Sequence, residues 1–232
     1  MDSILPILHT FFDTLCSFAD IMITRMPGPT LDTLYMVSVS TFLSLFFGML
    51  LAMVMVLSNP KGLLPCWQVY VVLDFTVNIL RSFPFIILII AMIPITRWVV
   101  GTSIGSTATI VPLTVAAAPF VARIMEASLL EVEAGVIEAA KSFGASNLQI
   151  ITRVMIKEAM PSIVLNIAVV AINLVGYSAM AGAVGGGGLG DTAIMYGYYR
   201  YELATMAAAI IILIIMVQLI QMLGNFFYRI LK

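Results

Sequence analysis

Charge is what this sequence has least of, and the shortage narrows the class of protein that it can encode. Of its 232 residues, 10% are charged and 62% are hydrophobic, whereas a soluble domain has about 25% charged and roughly 45–50% apolar residues. So few charges cannot cover a surface that faces water. The composition argues against a soluble enzyme and a disordered chain, and it predicts an integral membrane protein.

Histidine, cysteine and basic charge are scarce as well. The sequence has one histidine, His9, so a site that needs two histidines is excluded, and its two cysteines, Cys16 and Cys66, do not make a disulfide framework. The formal net charge of −1 provides no basic face for nucleic acid. The acidic Asp2 argues against a cleaved signal peptide, which begins with basic residues.

Long, predominantly apolar stretches divide the chain into predicted membrane spans. A helix needs about 20 predominantly apolar residues to cross a bilayer. Five stretches meet this condition, over residues 33–57, 67–96, 104–124, 162–184 and 203–226. We therefore predict an all-α integral membrane protein with five transmembrane helices per chain, in one transmembrane domain that covers residues 31–232.

The N-terminal residues 1–30 are expected to form an amphipathic extension of this domain. Residues 4–27 are largely apolar, but Asp13, Asp20 and Arg25 interrupt them. Because a charge at the centre of a span costs about 3 kcal/mol, the pattern favours a helix on the membrane surface. A sixth span is the alternative.

The connections between the spans fall into two sets with unequal positive charge. One set, with the C-terminus, carries seven basic residues: Lys61, Arg123, Lys141, Arg153, Lys157, Arg229 and Lys232. The other carries three: Arg25, Arg97 and Arg200. Positive charge is retained in the cytoplasm, so we predict that the first set is cytoplasmic, with the N-terminus outside and the C-terminus inside.

Small residues recur every four positions along the first span. They are Ser40, Ser44, Gly48 and Ala52. Residues four apart share a helix face, and small side chains let a second helix approach closely. The stripe therefore predicts that another helix packs against this face.

One connection, residues 125–161, is longer than the others and has helix signals of its own. Ser128 and Glu131 have the spacing of a capping box, in which a serine side chain marks the start of a helix. Ser146 and Gln149 have the same spacing. We predict two helices that begin at these serines, and such a segment either docks into a partner or packs on its own bundle.

Between the two signals lies a motif with a family resemblance. Gly144 suits a helix end, where glycine takes the left-handed conformation cheaply. Residues 138–140 (Glu-Ala-Ala), followed after three further residues by this glycine, resemble the EAA loop of ABC-importer permeases. In that family the loop forms a coupling helix, which sits in a groove of the ATPase subunit. The resemblance implies the following ATPase-coupling residues: Glu138, Ala139, Ala140, Lys141, Phe143 and Gly144.

The resemblance extends over roughly residues 30–230. The family motif continues with apolar positions that Val154 and Ile156 match, and with a proline where this chain has Lys157 and then Pro161. Further stretches are similar to the methionine-importer branch: 78–88 (NILRSFPFIIL), 100–105 (VGTSIG), 110–115 (IVPLTV), 174–180 (LVGYSAM) and 184–190 (VGGGGLG).

The resemblance implies a permease similar to type I ABC importers, in the bacterial inner (cytoplasmic) membrane and in contact with its lipid. Such a permease is a homodimer with two cytoplasmic ATPase subunits and an extracytoplasmic substrate-binding protein or lipoprotein. ATP and magnesium bind to the ATPase, and the permease imports methionine or a related small amino acid by alternating access. We expect no catalytic residue, cofactor or metal site in this chain.

Polar residues inside two spans are candidates for the translocation path. Those in the second span are Asp74, Asn78 and Arg81, and those in the fourth are Asn166, Asn173 and Tyr177; each trio shares a helix face. Polar groups within a membrane are functional candidates by default. The candidates for the path are Asn166, Asn173, Tyr177, Arg81 and Asn78. Structural pairing of the charges and hydrogen bonds between helices are the alternatives.

Several short stretches match enzyme motifs in residue pattern but not in their predicted structural context. Residues 135–142 nearly match a P-loop, but Ala140 replaces its second glycine and the flanks are helical. Ser103 would need a histidine base for catalysis, and His9 is the one histidine available. The glycines of residues 185–190 lack a βαβ unit around them, so they indicate a broken helix end or close helix packing.

Two other functions remain open at this point. A permease for another small amino acid would have the same general features. A secondary transporter that works without ATP is the second alternative, but it usually shows internal repeats, and the sequence has no convincing one.

Overall fold

The structure, a computed structural model, describes residues 17–232. The predicted surface helix over residues 4–27 therefore lies largely outside the described residues, and so do His9 and Cys16. Residues 17–24 are helical and lead into the first long helix.

Short turns join the helices, and the described part of the chain contains no strand. In chain order the helices are α1 Pro27–Ser58, α2 Trp67–Ser82, α3 Phe85–Ala91, α4 Ile93–Val100, α5 Ser106–Leu130, α6 Ala134–Ser142, α7 Asn147–Gln149, α8 Met160–Ala181, α9 Gly188–Thr192 and α10 Leu203–Leu231. Three of them continue into further helical turns: α7 into Ile150–Met155 and Ile156–Glu158, α8 into Gly182–Val184, and α9 into Ala193–Tyr198.

Among the described residues, four helices are long and apolar enough to cross a membrane, namely α1, α5, α8 with its extra turn, and α10. A fifth span results if α2 and α3 are counted together, although they meet at a bend of 98°. Pro84 explains the bend, since a proline disfavours the helical conformation in the residue before it, and Phe83 is extended (φ −71°, ψ 125°). The predicted span over residues 67–96 is thus divided among α2, α3 and α4.

Helix α5 runs beyond the end of its predicted span. Ser128 lies inside it, so the capping box predicted at Ser128 and Glu131 is wrong, and the next helix begins at Ala134. Burial explains the difference. Met125 and Leu129 have no exposed surface. Because their packing in the core outweighs the local capping signal at Ser128, the helix continues past that residue.

Helices α1 and α5 pack closely through the stripe of small residues. Ser40, Ser44 and Ala52 have no exposed surface, and Gly48 is buried between them. A Cβ atom added to Gly48 would lie 2.5 Å from the side chain of Val121 on α5, which is closer than real contacts allow. The sequence-based prediction of a close helix approach on this face is confirmed.

The turns gather at two opposite ends of the bundle. At one end, Arg25 forms an ion pair with Glu202 at 2.9 Å, and the Gly105 N–H donates to the Gly185 carbonyl at 2.9 Å. We call this the glycine end. At the other, the α6 end, the turn after α1 shares a cavity with α6, and Lys232 shares a second cavity with the turn before α6.

Candidate coupling surface

Helix α6 carries the residues that resemble the EAA loop, and a hydrogen-bonded glycine turn ends it. Gly144 has a φ of 78°, in the left-handed region that favours glycine. The Gly144 N–H donates to the Lys141 carbonyl at 2.9 Å, and the Ala145 N–H donates to the Ala140 carbonyl at 3.2 Å. These two bonds form a Schellman motif, which satisfies carbonyls left free at the end of a helix.

A capping box starts α7 immediately after this turn. The Gln149 backbone N–H donates to the Ser146 Oγ at 3.3 Å, and the Ser146 backbone N–H donates to the Gln149 Oε1 at 2.9 Å. This is the second capping box that the sequence predicts. The order helix, glycine turn, helix follows from local signals that short segments carry by themselves.

The surface formed by α6 and its glycine turn has little contact with the rest of the chain. None of the residues of α6 is buried, Phe143 is 92% exposed, and Leu148 on α7 is 68% exposed. Of the six residues expected to contact an ATPase, Ala140 is half-buried and the other five are exposed. An exposed aromatic ring beside small side chains can dock into a cleft of another protein.

A cavity of 520 Å³ separates part of α6 from the membrane helices. Apolar side chains of α1 and α5, among them Val56 and Leu129, line its floor, and Lys61, Glu138 and Lys141 lie around it. Helix α6 is therefore held mainly through its two ends and a few half-buried residues, rather than by a packed inner face.

Several candidate path residues contact a neighbouring helix. The Asn166 Nδ2 donates to the Ser128 Oγ of α5 at 2.8 Å, which is a hydrogen bond between helices. On α2, the Arg81 guanidinium lies 5.9 Å from the ring centre of Phe120 on α5. Asn78 also faces α5, as its contacts described next make clear.

Arg123 on α5 is the partner of the polar face of α2, and the sequence analysis did not assign it to that face. Its Nη2 donates to Asp74 and, at 3.1 Å, to the Asn78 Oδ1, while its Nη1 donates to the Glu126 Oε2 at 2.9 Å. Asn78 in turn donates to Asp74 at 3.1 Å. The spacing of Arg123 and Glu126 indicates an ion pair along one helix, but no local signal connects it to α2.

The remaining two path candidates lie on α8. Asn173 is exposed, and Tyr177 is half-buried. The ring of Tyr177 stacks on Phe85 of α3, with 4.7 Å between the ring centres and 8° between the planes.

The glycine-rich turn around residues 182–190 is both a helix end and a site of close packing, the two alternatives that the sequence left open. It ends α8, and its backbone approaches its neighbours very closely. A Cβ atom on Gly182 would lie 2.2 Å from the Asp191 backbone nitrogen, and one on Gly186 would lie 2.7 Å from the Ala181 carbonyl oxygen. The turn is also fastened to α1, because the Leu189 N–H donates to the Thr33 Oγ1 at 2.9 Å.

The P-loop-like stretch does not have the structure that a phosphate-binding loop needs. Residues 135–142, which nearly match the P-loop pattern, lie in helix α6 and not in a loop that follows a strand. Among the described residues, no group of three or more His, Cys, Asp or Glu side chains is placed to hold a metal ion.

Comparison with known proteins identifies the family. Residues 61–232 match the family described as binding-protein-dependent transport system inner membrane component. The probable D-methionine transport system permease protein MetI of Vibrio cholerae is 46% identical over 218 residues, which cover 94% of this chain and 97% of that protein. The methionine import system permease protein MetP of Bacillus subtilis is 39% identical, over 90% of this chain and 94% of that protein.

A solved structure has the same fold. It is reported as inward facing conformations of the MetNI methionine ABC transporter, and it is similar to this chain with a TM-score of 0.87 and 43% identity. The match covers 91% of this chain and 96% of the solved one. From the family match and the identity across nearly its whole length, this chain belongs to the inner membrane components of binding-protein-dependent transport systems.

Proposed function

We propose that the chain is the permease subunit of an ABC importer and that it moves methionine into the cell. The observation that carries the proposal is α6 with its glycine turn, an ordered but exposed surface that ends in Phe143. Two relatives named as methionine permeases, similar over nearly their whole length, support the substrate. Both methionine isomers fit these names.

The proposed complex contains two copies of this chain, two ATPase subunits and a substrate-binding protein or lipoprotein. The ATPase subunits bind ATP and magnesium, and they contact Glu138, Ala139, Ala140, Lys141, Phe143 and Gly144. The α6 end then faces the cytoplasm of a bacterial cell, in agreement with its larger share of lysine and arginine. The glycine end faces the binding protein.

Transport in this complex proceeds by alternating access. Closure of the ATPase pair moves α6, and the displacement reaches the membrane helices through α5, which only three residues separate from α6. This chain binds the substrate transiently and changes the side of the membrane to which the path is open. Its residues transmit force, and the chemistry of ATP hydrolysis stays on the partner.

The path is proposed to run beside α8 and α2. Asn173 is the best candidate because it is an exposed polar residue on α8. Tyr177 is a further candidate, whereas Arg81 and Asn78 have partners on α5 and a smaller share in contacts with substrate. Asn166 has a partner on α5, so we assign it a smaller share in contacts with substrate.

Uptake by the reconstituted complex tests the function. Proteoliposomes that contain this chain, its ATPase and the binding protein should accumulate labelled methionine only when ATP is supplied on the ATPase side. Excess unlabelled methionine should compete, and excess alanine or leucine should not. Uptake by the permease without the ATPase would favour a secondary transporter, and stronger competition by another small amino acid would change the substrate.

A further inference from the structure

The apolar contact of helix α2 with the rest of the chain is confined to one small cluster, in which Val77 packs with Met55 of α1 and Ala122 of α5. Of its sixteen residues, Val77 is the one that is buried. Inside a membrane, lipid tails are as apolar as side chains, so burial of such surfaces does not by itself drive helices together. The position of α2 must therefore depend strongly on its polar contacts.

Two polar side chains of α2, Asp74 and Asn78, meet Arg123 of α5, and Tyr70 of α2 lies beside Glu126. The two terminal nitrogens of Arg123 reach in different directions, with Nη1 on Glu126 and Nη2 on both Asp74 and Asn78. The side chain of Glu126 is 3% exposed, and those of Arg123 and Asp74 are 26% and 35% exposed. Charges in a poorly solvated site attract each other strongly, so separation of α2 from α5 is costly.

Arg123 also lies on the connection between α6 and the rest of the molecule. Helix α5 ends at Leu130, and α6 begins at Ala134. A displacement of α6 must therefore move the end of α5 that carries Arg123. On the far side, α2 leads through its bend to Phe85, whose ring stacks on Tyr177 of α8.

We propose that Arg123 is a positioning residue that joins α2 to α5, so that displacement of α6 is carried into the bent pair α2 and α3. This inference rests on the proposed function and names the contact through which its motion is transmitted. The guanidinium is suited to the role because its planar fork binds partners on both helices at once. A lysine, with a single ammonium group, does not hold both in the same geometry.

The alternative is that the network only neutralises Asp74 inside the membrane. The double variant D74L/N78L separates the two roles. It removes both acceptors on α2 and leaves the Arg123–Glu126 pair, so the site loses its surplus negative charge. Neutralisation alone then predicts normal transport, whereas a mechanical link predicts that transport is uncoupled from ATP hydrolysis.

The experiment measures methionine uptake and ATP hydrolysis by the complete complex in proteoliposomes. For D74L/N78L we expect uptake per ATP hydrolysed to fall by about fivefold or more, with assembly unchanged. Phe120→Leu is the matched control, since it alters a different contact between α2 and α5, the ring beneath Arg81, and should keep the wild-type ratio of uptake to ATP hydrolysed. A wild-type ratio in D74L/N78L overturns the proposal.

A charge exchange keeps the proposal testable if D74L/N78L does not assemble. In D74R/R123D, the guanidinium comes from α2 and faces two carboxylates on α5, so the link is rebuilt in reverse. We expect the D74R/R123D variant to recover the uptake per ATP hydrolysed that R123D alone loses. Recovered assembly without recovered uptake per ATP overturns the proposal. Absence of ATP-driven methionine uptake in the wild-type complex would instead contradict the proposed function.

Discussion

The α1–α5 interface and the α6 surface both present small residues, but their surroundings differ. Ser40, Ser44 and Ala52 have no exposed surface, because α5 covers them. Ala139 and Gly144 are exposed, and no helix of the described chain lies over them. Small residues permit a close approach in both places, but only the first place is occupied by the same chain.

This difference separates residues that hold the fold from residues that are available to a partner. The interface of α1 and α5 is part of the apolar core, so changes there affect stability. The α6 surface is ordered by its own Schellman motif and by the following capping box. Changes there should affect coupling to the ATPase and leave the membrane domain folded.

Gly144→Asp should have the largest effect, and on transport alone. It puts a charged side chain on the α6 surface at a position with a φ of 78°. We expect ATP-driven uptake of methionine to be abolished while insertion into the membrane is normal, as measured by uptake and by the amount of permease in membranes. Gly135→Ala, on α6 itself, where a Cβ atom would lie 3.9 Å from the Glu133 side chain, is the control. Normal uptake by Gly144→Asp would remove the coupling assignment.

Gly48→Leu should have the largest effect on stability. Even a Cβ atom at this position lies 2.5 Å from Val121 and 2.8 Å from the Ala118 carbonyl oxygen. Overpacking of this kind costs about 3 kcal/mol, so the melting temperature in detergent and the amount of protein in membranes should both fall. Gly28→Ala, in the same helix with nothing within 4 Å, should be neutral. Equal stability of the two variants would disprove the close packing.

The same substitution in both regions sharpens the comparison further. Ala52→Leu adds volume where Ala52 is fully buried, and it should destabilise the protein by about 2 kcal/mol. Ala139→Leu adds the same volume on the exposed α6 surface, and it should leave the melting temperature unchanged while it weakens binding of the ATPase. Thermal unfolding and co-purification of the ATPase measure the two effects. A destabilised Ala139→Leu would mean that α6 packs on its own bundle.

Ser146→Ala tests the order of the α6 surface and should have the smallest effect. It removes the side chain that accepts the Gln149 N–H at 3.3 Å, and loss of such a cap costs about 1 kcal/mol. Hydrogen exchange should become faster in α7 and remain unchanged in α5, with a modest fall in uptake. Gln149→Glu preserves the capping box and is the control. Unchanged exchange in Ser146→Ala would show that tertiary contacts, not the cap, order this segment.

The sequence was most informative where the signal is local. The stripe around Gly48, the turn at Gly144 and the cap at Ser146 each depend on residues within one or two helical turns, and the structure has all three. The signal at Ser128 failed because burial of the neighbouring Leu129 continued the helix. The contact of Arg123 with α2 depends on residues 49 and 45 positions away, and no local pattern predicts it.

The most direct test of the central claim compares the two ends of the molecule. A photoreactive amino acid is placed in turn at Phe143, which is 92% exposed at the α6 end, and at Tyr198, which is 68% exposed in the extension of α9 near the glycine end. After illumination of the assembled complex, the account predicts that position 143 crosslinks to the ATPase subunit and that position 198 does not. Capture of the ATPase from position 198, or none from position 143, would contradict it.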